Sequence, residues 1–137
     1  MYLIDFYFLI LEVDMIEKNS YLTFEKEHFL LLKESKKLFY YSDNYIYENF
    51  PRNKRHLKIQ YMNYLNSLLE NIILANYSDG SIKKKYQKNC LLYVSLLDFQ
   101  LSYFFDIKLI EKKRYLSSIK ILSNVKALLM GWINAEK

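Results

Sequence analysis

Hydrophobic residues recur at three- and four-residue intervals over most of the chain, a spacing typical of amphipathic helices. A first helix is expected from about Thr23 to Asn49 and must end before Pro51, because a residue that precedes proline disfavours the helical conformation. Its inward stripe is Leu31, Leu32, Ser35, Leu38, Phe39, Ser42, Tyr45 and Ile46. A second helix is expected from about Lys54 to Tyr77. Its inward stripe is Leu57, Tyr61, Leu65, Leu68, Leu69, Ile72 and Ala75.

The run from Ser78 to Ser81 is the clearest break in this pattern. Gly80 can adopt the left-handed backbone conformation there, and Ser81 is expected to cap the third helix. That helix is expected to continue to about Asp106. Its inward positions step by four and three residues, as in packed bundles: Cys90, Val94, Leu97, Leu101 and Phe104.

A fourth helix is expected to begin near Glu111, since an acidic residue suits a helix N-terminus. Its inward stripe is Tyr115, Ile119, Leu122, Val125, Leu129 and Trp132. Short connections make consecutive helices antiparallel, so the prediction is an all-α, up-and-down antiparallel four-helix bundle over residues 23–137. Residues 1–22 are interpreted as an N-terminal extension.

Composition supports one helical domain. The 137 residues include only two Gly and one Pro, too few for the turns of a β-sandwich, and 52% are hydrophobic, too many for a disordered chain. The apolar start of the chain lacks a basic first segment and carries Asp5, Glu12 and Asp14, so neither a signal peptide nor a membrane span is expected. This start either packs on the bundle or precedes a natural start at Met15. Together with a single cysteine, these features favour a cytoplasmic protein.

Charge is divided unevenly along the chain. Residues 1–49 carry five Lys or Arg against nine Asp or Glu, whereas residues 50–137 carry 15 against six. A cationic remainder of this kind favours a polyanionic partner such as nucleic acid. In an up-and-down bundle the first and third connections share one end, which brings together two groups of candidate nucleic-acid-binding residues. They are Arg52, Lys54, Arg55, His56 and Lys58 in one group, and Lys112, Lys113 and Arg114, with Lys108 nearby, in the other. A third group at the opposite end is Lys83, Lys84, Lys85 and Lys88. The alternative is that these are solvated helix ends.

Residue patterns typical of catalysis are missing from the sequence. His28 and His56 are the only histidines, and neither belongs to a His-x-x-His pair. Di-metal bundles need inward carboxylates and histidines, and the expected core stripes here have none. There is no phosphate-binding glycine loop and no nucleophile elbow. Cys90 is interpreted as a small buried hydrophobe. We therefore expect no enzyme, cofactor, metal or small-molecule substrate. Gly131 inside the last helix indicates close helix packing or a fraying helix end, or else a subunit interface with Trp132 as an aromatic anchor.

Four segments in this order and spacing resemble the Avd family, the accessory proteins of diversity-generating retroelements, over about residues 24–135. The first segment is Asn49-Phe50-Pro51-Arg52 with Lys54-Arg55-His56, between the first two helices. The others are Leu68-Leu69-Glu70-Asn71-Ile72-Ile73-Leu74-Ala75-Asn76-Tyr77, then Asp106-Ile107-Lys108-Leu109-Ile110, and last Met130-Gly131-Trp132-Ile133. The acidic N-terminal extension departs from the family pattern, as does the Asn- and Tyr-rich second helix.

The resemblance implies a four-helix bundle that assembles into a basic, barrel-like homopentamer. Such a protein binds the reverse transcriptase of the element and its template RNA or cDNA, and so supports mutagenic copying and retrohoming without activity of its own. It also implies that Arg52, Lys54, Arg55 and His56 contact nucleic acid. A related alternative is the protein encoded in intervening sequences of large-subunit ribosomal RNA, and another is a structural oligomer that binds no nucleic acid. Aromatic residues outside the inward stripes favour self-association: Tyr64, Tyr93, Tyr103 and Phe105.

Overall fold

A computed structural model describes residues 26–135, which form four long helices and contain no strand. The helices are α1 (Lys26–Tyr45), α2 (Arg55–Asn76), α3 (Gly80–Asp106) and α4 (Lys112–Ala135). Two short 3-10 turns, Tyr47–Asn49 and Arg52–Lys54, lie between α1 and α2. The predicted all-helical bundle is confirmed. The expected extension of residues 1–22 and the expected helix start at Thr23 lie outside the described residues.

The four helices pack in a closed square. The α2–α3, α3–α4 and α1–α4 contacts are extensive, and a smaller α1–α2 contact completes the ring. Side-chain hydrogen bonds fix the directions: Ser42, late in α1, is bonded to Tyr61, early in α2, at 2.8 Å. Likewise the Asn89 amide, early in α3, donates to Asn71, late in α2, at 3.1 Å. Consecutive helices are therefore antiparallel, as the short connections predict.

The core follows the sequence periodicity closely. Every predicted inward position of α3 is buried, and the α2 and α4 stripes are buried or half-buried throughout. The α1 stripe differs at Tyr45, which is 37% exposed, so the expectation of an inward Tyr45 is wrong. The α-helix ends at this residue and the backbone tightens into a 3-10 turn, which turns Ile46 and Tyr47 into the core instead.

The connection between α2 and α3 confirms one prediction and corrects another. Gly80 has φ +59°, the left-handed conformation that its lack of a side chain allows. Ser81 is not the cap of α3, because the helix already begins at Gly80 and Ser81 lies inside the first turn. The backbone N–H of Lys83 donates to the Asp79 carbonyl at 3.3 Å, which places Asp79 before the helix.

The connection between α3 and α4 is a Schellman turn. The N–H of Leu109 donates to the Phe104 carbonyl at 2.8 Å, and the N–H of Lys108 donates to the Phe105 carbonyl at 3.0 Å. Lys108 has φ +64° and occupies the left-handed position that usually belongs to glycine. Ile110 is buried immediately afterwards, which anchors the turn to the core before α4 begins.

Candidate nucleic-acid interface at the two ends of the bundle

Aromatic contacts bring the first and third connections to the same end of the bundle. Phe50, in the first connection, meets the ring of Phe104 edge-on with centroids 4.9 Å apart. Phe104 lies in the last turn of α3 and also contacts Tyr61 of α2 at 5.7 Å. Because the third connection starts directly after this turn, the expected grouping of the two connections is confirmed.

This shared end carries nine cationic or titratable candidate residues, hereafter the first basic end. Six of them are exposed: Arg52, Arg55, His56, Lys108, Lys112 and Lys113. Three are half-buried: Lys54, Lys58 and Arg114. Four acidic residues lie at the same end, namely Asp43, Glu48, Asp106 and Glu111. The first basic end therefore has eight Lys or Arg residues and four Asp or Glu residues. The potential at this end is therefore positive, though weaker than the cations alone would give.

The exposed cations of the first basic end do not form ion pairs within the described part of the chain. The described residues do contain an ion pair between Lys37 and Glu34, at 3.9 Å, but it lies in α1 away from this end. Arg52 and Arg55 therefore present their charges to solvent, where a phosphate group could bind without breaking an existing contact. Lys112 and Lys113 present theirs in the same way from the first turn of α4.

Two half-buried cations at this end hold helices together. The Arg114 guanidinium lies 4.3 Å from the centre of the Tyr45 ring, a cation–π contact between the start of α4 and the end of α1. The Tyr41 hydroxyl has no hydrogen-bond partner of good geometry in the described residues. It nevertheless interacts with the Arg114 guanidinium and raises the pKa of Arg114. The Lys58 ammonium lies 5.5 Å from the centre of the Tyr47 ring. Both cations are predicted nucleic-acid ligands that also have a structural contact.

Lys108 stands out because its backbone is strained. A side chain in the left-handed conformation costs about 1 kcal/mol relative to glycine, and nothing in the turn geometry requires a side chain here. Strained positions cluster at functional sites, so a lysine at this position supports a role for its exposed ammonium. The sequence does not signal this strain, since Lys-Leu after a helix has no turn signature.

The opposite end, hereafter the second basic end, consists of the start of α3 and the ends of α2 and α4. The Lys83 ammonium lies 5.5 Å from the centre of the Trp132 ring, which places the start of α3 beside the end of α4. Lys84, Lys85 and Lys88 are exposed along the first turns of α3. Two large apolar side chains are exposed next to them, Tyr77 at 67% and Ile82 at 58%.

Features that could support chemistry are weak in the described residues. Cys90 is buried as expected, and burial raises the pKa of its thiol to about 12, so a reactive thiolate is disfavoured. No group of three or more His, Cys, Asp or Glu among residues 26–135 could hold a metal ion. A groove between α3 and α4, beside Asp98 and Lys126, encloses about 150 Å³, less than a small-molecule pocket usually offers. The His28 side chain lies outside the described residues.

Helix α4 is long and apolar enough to cross a membrane by length and composition alone. The same apolar residues serve the bundle, since Leu122, Val125 and Leu129 are buried against the neighbouring helices. A core helix passes this test as readily as a membrane span does.

The aromatic residues that were expected to form an exposed surface for self-association are mostly half-buried. Tyr64 and Tyr93 are half-buried against one another, with ring centroids 6.1 Å apart, and Phe105 stacks on Tyr115 at 4.8 Å. Of the four aromatic residues expected to be exposed, only Tyr103 is, at 38%. Intrachain packing between α2 and α3, and between α3 and α4, uses the other three.

Other apolar residues are exposed instead. On α3 these are Leu92 at 53% and Phe99 at 68%, and on α4 they are Leu116 at 53% and Met130 at 38%. Gly131 also faces outward, and a side chain added there would meet nothing within 4 Å. Gly131 is therefore not closely packed against the other described residues, and Trp132 is buried in the core, where it cannot anchor a partner. A fraying helix end and a subunit contact both remain as interpretations of Gly131.

Comparisons of the chain with protein-family models, with curated proteins and with solved structures found no match. The likeness to the Avd family therefore rests on the quoted segments alone.

Proposed function

We propose that the protein is a non-catalytic binding module that holds nucleic acid at the basic ends of a four-helix bundle. The observation that carries this proposal is the pair Arg52 and Arg55, exposed and without an ion-pair partner in the described residues, at the same end as Lys112 and Lys113. Phosphate contacts need cations that are free to exchange water and counterions for a ligand, and these four meet that need.

The resemblance supplies a more specific role. The Asn49–Arg52 turn and the following basic residues match the family segment for nucleic-acid contact, so we infer an accessory protein of a diversity-generating retroelement. In that role the chain binds the reverse transcriptase of the element and its template RNA or cDNA, and supports mutagenic reverse transcription and retrohoming. The protein encoded in ribosomal RNA intervening sequences is the alternative that the same segments support.

Self-association forms part of the proposal, and the resemblance implies a homopentamer. One face of α4 offers small exposed residues at a four-residue spacing, namely Ser123, Ala127 and Gly131. Leu116 and Met130 flank these positions with exposed apolar surface. A helix of another subunit can approach closely where side chains are small, and the flanking residues then supply the buried apolar area.

The test is salt-dependent binding of a single-stranded RNA by matched double variants. Arg52→Gln with Arg55→Gln removes two charges from the first basic end, and Lys120→Gln with Lys126→Gln removes two exposed charges from the middle of α4. We expect the first pair to weaken RNA binding about tenfold or more at low salt and to lower the salt slope by up to about two. The second pair should change little.

Equal effects of the two double variants would show that net charge alone drives binding and would overturn the choice of site. Affinity purification of the tagged protein from its source cell tests the specific role. Recovery of a reverse transcriptase supports the retroelement assignment, whereas recovery of ribosomal RNA fragments without it supports the alternative.

A further inference from the structure

Helix α3 carries a second stripe of residues on the side that faces away from the core. Phe99 is the most exposed large hydrophobic residue in the described part of the chain, at 68%, and Leu92 is 53% exposed. The stripe advances by three and four residues, the spacing of a packed helix seam. Its exposed members are Lys85, Lys88, Leu92, Phe99, Tyr103 and Asp106, with the half-buried Leu96 at the middle. Helix α3 thus has the pattern of a helix packed on two sides, although the bundle covers only one.

The charges of this stripe lie at opposite ends of α3. Lys85 and Lys88 are in its first turns, and Asp106 is its last residue. None of the three forms an ion pair among the described residues, where Lys37 pairs with Glu34 in α1. Cations near a helix N-terminus and an anion at its C-terminus both oppose the helix dipole. The isolated chain therefore leaves an unfavourable charge arrangement on its most apolar exposed face.

A second copy of α3 that runs in the opposite direction fits this stripe. In one register Lys85 faces Asp106 of the partner subunit, Lys88 faces the partner's Tyr103, and Leu92 faces the partner's Phe99. The two-fold axis then passes between residues 95 and 96, and each of these contacts occurs twice. The negative C-terminal end of the partner's helix also lies beside the lysines, which reverses the unfavourable dipole interaction. The stripe is therefore complementary to itself in charge and in apolar position.

Other occupants fit less well. A parallel copy of α3 would place Lys85 beside Lys85 of the partner subunit, and like charges in contact are unfavourable. The outward face of α4 in a second copy offers no anion to these lysines, because Lys112–Ala135 contains no acidic residue. A nucleic acid would be repelled by Asp106 and would leave Leu92 and Phe99 in water. Charge complementarity thus favours the antiparallel copy.

We propose that α3 pairs with α3 of a second copy of the chain in an antiparallel two-fold contact, with Lys85 on Asp106 of the partner subunit and Leu92 on the partner's Phe99. The contact extends over about 32 Å and buries on the order of 1,000 Å² in total, near the lower limit of specific interfaces. It therefore forms at micromolar concentrations of chain. The face of α4 proposed for self-association is separate, so pairing through α3 doubles any assembly that α4 forms.

Disulfide trapping of a double variant, Lys85→Cys with Asp106→Cys, tests the register directly. The two positions are about 32 Å apart within one chain, so a disulfide between them forms only between chains. Each single variant is the matched control, because in the proposed pair the same position of the two chains is also about 32 Å apart. Cys90 is buried and does not compete. At about 10 µM we expect most of the oxidised double variant to migrate as a covalent dimer and the single variants to remain unlinked.

Two results of this experiment would overturn the contact. One is a double variant that stays unlinked while circular dichroism shows unchanged helix content. The other is equal linking of the single variants, which is the result that a parallel pair or random collision gives.

Charge reversal tests the same contact in the absence of cysteines. Lys85→Glu and Asp106→Lys each place like charges together, so each should weaken the pairing roughly tenfold at low salt. The two changes combined restore opposite charges and should return the affinity to within about threefold of the natural sequence. A combined variant that pairs more weakly than either single variant is incompatible with the register.

The apolar part of the stripe is tested by Phe99→Ser, with Ile59→Ser on the exposed side of α2 as the matched control. Sedimentation equilibrium at about 10 µM should show that Phe99→Ser halves the mass of the assembly and that Ile59→Ser leaves it unchanged. The proposal fails if the natural sequence and Phe99→Ser have the same mass.

The pairing also has a consequence that rests on the proposed function. Each end of the antiparallel pair joins the second basic end of one chain to the first basic end of the other, so Lys84 and Lys88 lie near Lys112 and Lys113 of the partner subunit. The disulfide-linked double variant should therefore bind a 20-nucleotide single-stranded RNA about tenfold more tightly than the same variant after reduction, measured below the concentration at which chains pair. Linkage without this gain would overturn the joint basic surface and not the α3 contact. Linkage without any RNA binding would overturn the proposed function alone.

Discussion

The side-chain amide of Gln100 in α3 donates to the side-chain oxygen of Gln60 in α2 across 3.0 Å, at a point where both helices are packed together. Gln100 is 5% exposed, and its own oxygen has no hydrogen-bond partner in the described residues. About three helical turns farther along the same two helices, Asn89 donates to Asn71, which in turn donates to the Ser67 carbonyl at 2.7 Å. Two polar pairs thus join α2 and α3, and of the two only the Gln60–Gln100 pair contains a buried atom without a partner in the described residues.

The two pairs should respond differently to apolar substitution. Gln100→Met removes an unsatisfied buried oxygen and leaves an exposed Gln60 that water can solvate, so we expect unfolding free energy to stay within about 1 kcal/mol or to rise. Asn71→Leu leaves the half-buried Asn89 amide without its acceptor, and we expect a loss of about 1–2 kcal/mol. Urea unfolding of both variants measures the difference, and an equal loss in both would contradict the assignment.

Lys108 provides a test that separates stability from binding. Lys108→Gly relieves the left-handed backbone strain of the Schellman turn, so we expect about 1 kcal/mol of added stability. If the ammonium contacts nucleic acid, the same variant should bind RNA several-fold more weakly. Lys108→Asn, which also tolerates this backbone but lacks the charge, is the control and should match the binding loss with less stabilisation.

Replacing each of the two glycines by alanine should change the stability of the fold in opposite directions. Gly80→Ala forces a side chain into φ +59°, so we expect a loss of about 1 kcal/mol although the space around it is open. Gly131→Ala adds a methyl group to an exposed position within α4 and should stabilise the isolated chain by about 1 kcal/mol. If Gly131 lies between subunits, light scattering will show a weaker oligomer for this variant at the same time. An unchanged oligomer would exclude Gly131 from the interface.

Alkaline pH should weaken the fold through Cys90. Burial raises the pKa of the Cys90 thiol from 9.0 to about 12 in the folded state. The stability that the buried, protonated thiol contributes is therefore complete below pH 9 and is lost as the pH rises toward 12. We expect the stability advantage over Cys90→Ala to fall by about 1.4 kcal/mol per pH unit across this window. Tyr47 and Tyr61 add to alkaline loss at higher pH, because burial also raises the pKa of each phenol. A stability difference that stays constant from pH 8 to 10.5 would contradict the buried thiol.

Arg114 and Lys113 are adjacent in sequence but should differ in role. Arg114→Gln removes the contact with Tyr45 and Tyr41 that joins α4 to α1, so thermal unfolding should occur at a lower temperature. Lys113→Gln removes an exposed charge only and should leave the unfolding temperature unchanged. Differential scanning calorimetry compares the two, and equal midpoints would show that the cation–π contact contributes nothing.

The periodicity of the sequence predicts the four helices to within a few residues, because the core positions of α2, α3 and α4 are set by apolar spacing alone. The prediction fails where the backbone leaves the α-helix. Tyr45 lies at the change to a 3-10 turn, and Ser81 follows a helix start that Gly80 already provides. Neither event has a signal in the apolar pattern, since both depend on how the connection closes against the core.

The basic ends could be predicted only in part. Topology and short connections predict that Arg52 and Lys112 share an end, and the Phe50–Phe104 contact confirms this grouping. Which cations have a structural contact cannot be predicted from spacing, because the partners of Arg114 and Lys58 are tyrosines 69 and 11 residues away. Exposed aromatic positions were equally hard to predict, since Tyr64 and Tyr93 cover each other across two helices.

The closed square of helices has a consequence for synthesis on the ribosome. Helix α1 is made first, yet its main neighbour is α4, and the Asn124–Glu34 hydrogen bond between them spans 90 residues. At about 5–20 residues per second, α1 waits roughly 5–20 s for the helix that covers it. A nascent chain arrested before residue 112 should therefore be cleaved by protease within α1, and a completed chain should not. Until then Leu31 and Leu38 remain accessible to a chaperone, and the last helix to leave the ribosome completes the fold of the first.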